Sequence, residues 1–104
     1  MSRPILLIFG EGDFSFSKSI SEMDIYQGYD IIATEYIDKA RLETKYQNLK
    51  QHIESLLTEL NDNKPRFFIR YEIDITQKNW TQIFNSIYPN EEIRYPDIIQ
   101  FNFP

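Results

Sequence analysis

Four apolar segments along the chain have the length and the residue types of β-strands. The first, Ile5–Phe9, is an unbroken apolar run, which is typical of a strand that is buried on both faces of a parallel sheet. The other three are Asp30–Tyr36, Arg66–Asp74 and Asp97–Phe103, which are rich in β-branched and aromatic residues. The pattern therefore predicts four strands separated by longer connecting stretches.

The stretches between these strands carry apolar residues at helical spacing. A first helix is predicted from Phe14 to about Tyr26. A long second helix is predicted to begin after the cap residue Asp38 and to end at Asn61–Pro65. Its apolar stripe consists of Leu42, Tyr46, Leu49, Ile53, Leu56, Leu57 and Leu60. A third helix, after the cap residue Thr76, carries Trp80, Ile83, Phe84 and Ile87.

The resulting order is strand and helix in strict alternation, beginning and ending with a strand. Right-handed crossovers turn this order into a parallel sheet with helices on its faces. We therefore expect one Rossmann-like domain over residues 1–104, a three-layer α/β/α fold with a mostly parallel sheet. Ligands of such sheets bind beyond the carboxyl ends of the strands.

Composition narrows the classes of site that this domain can hold. The chain has 104 residues, of which 41% are hydrophobic, enough for a packed core. It has no cysteine, which excludes disulfides and cysteine-based metal sites, and its single histidine disfavours a histidine-based metal cluster. We predict no metal site.

The charge and the distribution of apolar residues bear on partners and location. The net charge of −5 gives the chain as a whole no electrostatic attraction for nucleic acid, so any grip on RNA should come from outside it. No apolar run approaches the ~20 residues that span a bilayer, and the N-terminus lacks a signal-peptide pattern. We expect no membrane association and an intracellular location.

The first predicted strand runs directly into a glycine-containing turn, Gly10-Glu11-Gly12-Asp13-Phe14-Ser15. The turn is an incomplete dinucleotide fingerprint, because Ser15 stands where a third glycine is expected. Glu11 and Asp13 would repel a pyrophosphate. They suit a ligand that has a cationic amino group and ribose hydroxyls, such as S-adenosylmethionine. The alternative is that the segment is only a tight turn.

Polar residues also lie at the carboxyl ends of the other predicted strands. Glu35, at the end of the second strand, is in the position of an acidic residue that accepts ribose hydroxyls. The alternative is an exposed carboxylate that caps the next helix. Asp74 ends the third strand and suits the amine of an adenine lying between strands three and four, or else it is a turn residue before Thr76. Asn102-Phe103-Pro104 suits a planar base, or else it is an ordinary strand exit.

Taken together, these segments resemble the Rossmann-like domain of the eukaryotic large-subunit (25S) rRNA (uridine-N3) methyltransferases. The Gly-Glu-Gly-Asp-Phe-Ser-Phe stretch and the Asn-Phe-Pro ending are the most distinctive parts of the likeness. The matching segments are Ile8–Ser17, Ile32–Thr34, Lys45–Tyr46, Ile73–Thr76 and Asp97–Pro104. The resemblance thus covers nearly the whole chain.

The resemblance implies binding of S-adenosylmethionine and methyl transfer to a uridine ring nitrogen in ribosomal RNA, in the nucleolus or the cytoplasm. The candidate cofactor-binding residues are Gly10, Glu11, Gly12, Asp13, Phe14, Ser15, Glu35 and Asp74. The candidate catalytic residues, which would face the substrate, are Asn102, Phe103 and Pro104.

The chain departs from the family pattern in two respects. It has Glu35-Tyr36-Ile37 where the family often has Ser-Tyr-Asp, so the carboxylate lies two positions earlier. A class I methyltransferase sheet has seven strands, and four are predicted here, so we expect a domain truncated after strand four. The alternative function is therefore a truncated, catalytically inactive module that binds the cofactor or another protein.

Overall fold

The computed structural model describes residues 3–10, 14–46, 48–58, 65–73 and 80–101. Within these ranges the strands are β1 (Ile5–Phe9), β2 (Asp30–Thr34), β3 (Arg66–Arg70) and β4 (Ile98–Phe101). The helices are α1 (Ser15–Ile20), α2 (Lys39–Lys45), α3 (Leu49–Thr58) and α4 (Trp80–Ile87), with a 3₁₀ turn over Asp24–Tyr26.

The four strands form one sheet in which every pair is parallel and the order is β3-β2-β1-β4. Ile8 of β1 pairs with Ala33 of β2, and Ala33 pairs in turn with Ile69 of β3. This confirms the predicted parallel, Rossmann-like fold. It also shows one prediction to be wrong: strands three and four lie at opposite edges of the sheet, so an adenine cannot lie between them.

The core consists of two apolar clusters, one on each face of the sheet. Helices α1 to α3 cover one face, where the buried residues are Leu6, Ile8, Phe14, Ile20, Ile31, Ala33, Leu42, Leu49 and Phe67. Helix α4 covers the other, where the buried residues are Ile5, Leu7, Ile32, Ile83, Phe84 and Tyr88. The alternation of Leu6 and Ile8 with Ile5 and Leu7 places β1 in both clusters. The predicted three-layer arrangement is confirmed.

A buried carboxylate joins several elements at the amino ends of the strands. The side chain of Asp30 is 1% exposed and accepts two hydrogen bonds of 2.7 Å from Arg66 of β3. It also lies 2.9 Å from Arg3 and accepts the hydroxyl proton of Tyr88, which follows α4. Because a buried carboxylate requires such partners, this cluster fixes the amino edge of the sheet and is part of its framework.

The first helix is shorter than the sequence predicts. It begins at Ser15 and ends at Ile20, and Met23 already has an extended backbone. Phe14 is not helical, because its φ of 64° lies in the left-handed region. At the other end the Ser21 hydroxyl donates to the carbonyl of Lys18, a local bond by which serine competes with helical hydrogen bonding.

The prediction of one long second helix is wrong, because the chain forms two helices there. Tyr46 has an extended backbone with φ −121° and ψ 113°, which ends α2. Asn48 precedes α3, and its carbonyl accepts the first helical hydrogen bond, from His52. Asparagine favours this cap position, and a cap inside an apolar stripe begins a new helix without changing the stripe. The predicted end at Asn61–Pro65 lies mostly outside the described residues.

Three of the strands are also shorter than predicted. β2 stops at Thr34 instead of Tyr36, and β3 stops at Arg70 instead of Asp74. As a result Glu35 and Tyr71 have left the regular strands and lie in the connections at the carboxyl edge. Asp97 precedes β4, and its carboxylate accepts the amide proton of Ile5 at 2.8 Å. The shortening of β2 and β3 therefore adds residues to the carboxyl edge, where a ligand is expected, whereas Asp97 lies at the amino edge.

Candidate functional site

Two of the predicted site residues meet at the carboxyl edge of the sheet. Ile8 of β1 is paired with Ala33 of β2, and Gly10 and Glu35 lie two residues after Ile8 and Ala33, respectively. Neighbouring parallel strands lie about 4.8 Å apart, so the two residues leave the sheet side by side. Gly10 has a φ of +78°, a conformation that glycine adopts without the strain a side chain would cause. The chain thus turns away from the sheet directly beside Glu35.

Glu35 is held firmly in this position. It is 7% exposed, and its Oε1 accepts the amide proton of Tyr36 at 2.9 Å. Its own amide donates to the carbonyl of Arg70, and its carbonyl accepts the amide proton of Ile73. The alternative of an exposed helix-capping carboxylate is wrong, because Asp38 caps α2 by accepting the amide proton of Arg41.

Phe14 and Ser15, the last two residues of the glycine turn, have different surroundings. The Phe14 ring has no exposed surface and packs in the core on the α1 side of the sheet. A ligand at this edge would therefore meet only its backbone. Ser15 is exposed at the first position of α1.

Thr34 and Tyr71 belong to the same edge, although sequence reasoning gave them no role. The buried Thr34 hydroxyl donates to the carbonyl of Ile8 at 2.7 Å and so ties the ends of β1 and β2 together. Its signal in the sequence was a polar residue directly after the apolar residues Ile31, Ile32 and Ala33. The ring of Tyr71 meets that of Phe14 edge-on, with 6.1 Å between the centroids. Nothing in the sequence indicated that contact, which joins residues far apart along the chain.

The remaining predicted site residues lie outside the described residues. They are Glu11, Gly12, Asp13, Asp74, Asn102, Phe103 and Pro104. In the part of the chain that is described, no group of three or more metal-ligating side chains occurs. Nor does any helix there have the length and apolar character needed to cross a membrane.

The described geometry favours one type of ligand chemistry. A buried carboxylate accepts hydrogen bonds from hydroxyl or amino groups and repels phosphates. Gly10 lets a ligand approach the backbone next to that carboxylate. A ligand with vicinal hydroxyls or a cationic group therefore suits the two residues better than a pyrophosphate does.

Comparison with known proteins gives two matches that agree with each other. A family model described as BMT5-like, rRNA (uridine-N3-)-methyltransferase, matches residues 7–104. A 25S rRNA (uridine(2634)-N(3))-methyltransferase of Saccharomyces cerevisiae is 33% identical over an alignment of 111 positions, gaps included, and this alignment covers 95% of the present chain. The same stretch is 32% of the yeast protein, so the chain spans about a third of that relative's length. No solved structure matches the chain.

The family match begins inside β1 and includes the glycine turn, Glu35 and the Asn-Phe-Pro tripeptide. It therefore contains every residue for which a role at the carboxyl edge was predicted. The chain belongs to the BMT5-like family of rRNA (uridine-N3-)-methyltransferases.

Proposed function

We propose that this chain is the cofactor-binding part of an S-adenosylmethionine-dependent methyltransferase that acts on N3 of a uridine in large-subunit ribosomal RNA. One observation carries the proposal: the buried Glu35 carboxylate beside the left-handed Gly10, on neighbouring strands at the carboxyl edge. The family of the chain and the activity for which its yeast relative is named support the reaction and the RNA substrate.

Each site residue has a proposed part in holding the cofactor. Glu35 accepts the hydroxyls of the ribose, and the Gly10 backbone lies against the cofactor without a side chain between them. Glu11, Gly12 and Asp13 complete the loop, and the carboxylates of Glu11 and Asp13 attract the cationic amino group of the cofactor. Asp74 contacts the adenosine part of the cofactor, which does not lie between strands three and four because these strands are at opposite edges of the sheet. The backbones of Phe14 and Ser15 close the loop.

The chemistry needs orientation more than it needs a reactive side chain. When bound, S-adenosylmethionine supplies a methyl group on a positively charged sulfur. In this reaction the methyl group that the cofactor supplies would replace the N3 proton of the uridine, and that proton would pass to water. We propose that Asn102, Phe103 and Pro104 hold the uridine ring by stacking and hydrogen bonding. Holding the reacting atoms in line contributes several kcal/mol to such a reaction.

The proposal extends to the partner and the place of action. Ribosomal RNA is the substrate, and because the net charge is −5, most of the attraction for its phosphates comes from outside this chain. A role in ribosome biogenesis, in the nucleolus or the cytoplasm, follows from this substrate. A catalytically inactive module is not favoured, because the family match includes both the cofactor turn and the substrate-facing tripeptide.

Calorimetric titration with S-adenosylhomocysteine tests the role of Glu35. We expect saturable binding by the unaltered chain and roughly 10- to 100-fold weaker binding by Glu35→Ala, the usual loss when a charged hydrogen-bond partner is removed. Glu35→Gln should lose less, because its amide oxygen still accepts a hydrogen bond. The matched control is Glu92→Ala, which removes an exposed carboxylate before β4 and should leave the affinity unchanged.

Two results would contradict the proposal. A folded chain that does not bind the cofactor would remove the methyltransferase assignment from this 104-residue form. Equal affinity of the unaltered chain and Glu35→Ala would move the cofactor away from the end of β2.

A further inference from the structure

A short turn after β3 encloses Glu35 between two backbone hydrogen bonds. The Glu35 amide donates to the carbonyl of Arg70 at 3.1 Å, and the Glu35 carbonyl accepts the amide proton of Ile73 at 3.0 Å. Tyr71 and Glu72 lie between these two attachment points. The exit of β3 therefore determines where the backbone of Glu35 lies.

The same turn brings an aromatic ring to the glycine turn. Tyr71 packs against the core and meets the fully buried Phe14 ring edge-on, with 71° between the ring planes. Phe14 begins the return of the chain from the glycine turn into α1, and its carbonyl accepts the amide proton of Lys18. The Tyr71 ring is thus a direct link between the exit of β3 and the exit of the glycine turn.

A residue at each end of this link, Phe14 itself and Glu72 next to Tyr71, has a backbone conformation that is unfavourable for a residue with a side chain. Phe14 has a φ of 64° and Glu72 a φ of 58°, and they are the described residues other than glycine with positive φ. Left-handed residues with a Cβ persist only where surrounding contacts hold them. The contacts described beside these two residues are the packing of the Tyr71 and Phe14 rings and the two backbone bonds to Glu35.

We propose that Tyr71 is a positioning residue, which joins the Phe14 end of the glycine turn and the backbone of Glu35 into one unit through the turn after β3. The inference rests on the proposed function insofar as this unit binds the cofactor. Tyr71 acts by packing, without touching the cofactor. Burial raises the pKa of its hydroxyl, and the charge of Glu43 raises it further, so the ring is neutral at physiological pH. The ring, and not the hydroxyl, is the important group.

The test compares Tyr71→Ala and Tyr71→Phe with a control on the opposite face of the same region. Phe68→Ala removes a half-buried ring of β3 that packs on the α4 side of the sheet. The first measurement is amide hydrogen exchange in the free protein. We expect Tyr71→Ala to accelerate exchange at least tenfold at the amides of Lys18 and Ile73, relative to Phe68→Ala. Tyr71→Phe should exchange like the unaltered chain.

The second measurement is the affinity for S-adenosylhomocysteine, at a temperature where all variants are folded. Tyr71→Ala should bind roughly tenfold more weakly than the unaltered chain. Phe68→Ala should bind as tightly as the unaltered chain, even if its melting temperature is lowered as much as that of Tyr71→Ala. Equal effects of the two substitutions on exchange would overturn the inference, since Tyr71 would then be an ordinary core residue.

Failure of this inference can be told apart from failure of the proposed function. If the unaltered chain binds no cofactor, the proposed function fails, and the exchange rates of Lys18 and Ile73 alone decide whether Tyr71 joins the two segments. If the chain binds and Tyr71→Ala keeps full affinity, the positioning role is wrong while the proposed function remains.

Discussion

Single residues at the carboxyl edge have backbone conformations that their types do not favour. Glu72 is the clearest case, because it is exposed and still has a φ of 58°. Its side chain has no place in the core that would explain the strain. The conformation instead allows the turn after β3 to return to Glu35 through the amide of Ile73. The strain of Glu72 is thus a consequence of how the candidate site is held.

Substitution of Glu72 by glycine tests this explanation. A left-handed residue with a Cβ costs about 1–2 kcal/mol, whereas glycine loses about 0.5–1 kcal/mol more backbone entropy on folding. We therefore expect Glu72→Gly to have a free energy of unfolding between equal to that of Glu72→Ala and about 1.5 kcal/mol above it. Urea denaturation of the two variants measures the difference. A glycine variant less stable than the alanine variant would contradict the left-handed conformation.

Among the elements, α4 is joined to the sheet by its apolar face and also by a polar contact at the amino edge. Tyr88, directly after α4, is 6% exposed and donates its hydroxyl proton to Asp30 of β2. Arg66 of β3 binds the same carboxylate. Burial raises the pKa of the Tyr88 hydroxyl, and the hydrogen bond to Asp30 raises it further. The proton of Tyr88 is therefore held more tightly in the folded protein than in the unfolded chain.

This tight binding predicts how stability depends on alkaline pH. Below the unfolded pKa of about 10, Tyr88 is protonated in both states and its contribution is complete. Above that pH the unfolded chain releases the proton first, so the free energy of unfolding falls as pH rises. We expect Tyr88→Phe to be about 1–3 kcal/mol less stable at pH 7 and to lose less stability between pH 9 and 11. Chemical denaturation across this range measures both effects, and equal slopes would contradict the assignment.

The elements that the sequence predicted well are those with an uninterrupted local pattern. The unbroken apolar run gave β1 with both ends correct, and the spacing of Trp80, Ile83, Phe84 and Ile87 gave α4. The apolar stripe of the second predicted helix did not show the break at Tyr46, because both helices bury residues of the same stripe. A cap such as Asn48 is a weak local signal beside seven apolar positions.

The candidate site was predicted in part for a similar reason. Gly10 and Glu35 were identified because they follow strands, and the order of elements places strand ends together. The partners of Asp30 and the contact between Phe14 and Tyr71 join positions that are 27 to 58 residues apart along the chain. No local pattern specifies such contacts. Nor did the pattern specify the strand order, which placed strands three and four at opposite edges.

At the scale of the whole molecule, the sheet has one edge of unusual character. In the described part of the chain β4 pairs with β1 alone, so the outer side of β4 has no strand beside it. All four of its residues are exposed, including Ile99 at 50% and Phe101 at 52%. The strand has no charged residue. An exposed, uncharged, apolar edge strand is prone to pair with another chain.

This edge predicts association of the 104-residue chain with itself. We expect the average mass to rise with concentration, and Ile99→Lys to keep the chain monomeric at concentrations where the unaltered chain associates. Thr81→Lys adds the same charge at an exposed position of α4 and should not prevent association. Sedimentation equilibrium of the three proteins decides the matter. An unaltered chain that stays monomeric at several hundred micromolar (roughly the upper working range) would contradict the prediction.

The central claim is that the cofactor binds where β1 and β2 end. The most direct test is to follow backbone amide resonances of the isotopically labelled chain during titration with S-adenosylhomocysteine. We predict that the largest shifts occur at Gly10, Glu35 and Tyr36, with smaller shifts through the turn after β3 and none around Asp30. Saturable shifts centred on the amino edge of the sheet, or no shifts in a folded chain, would contradict the claim.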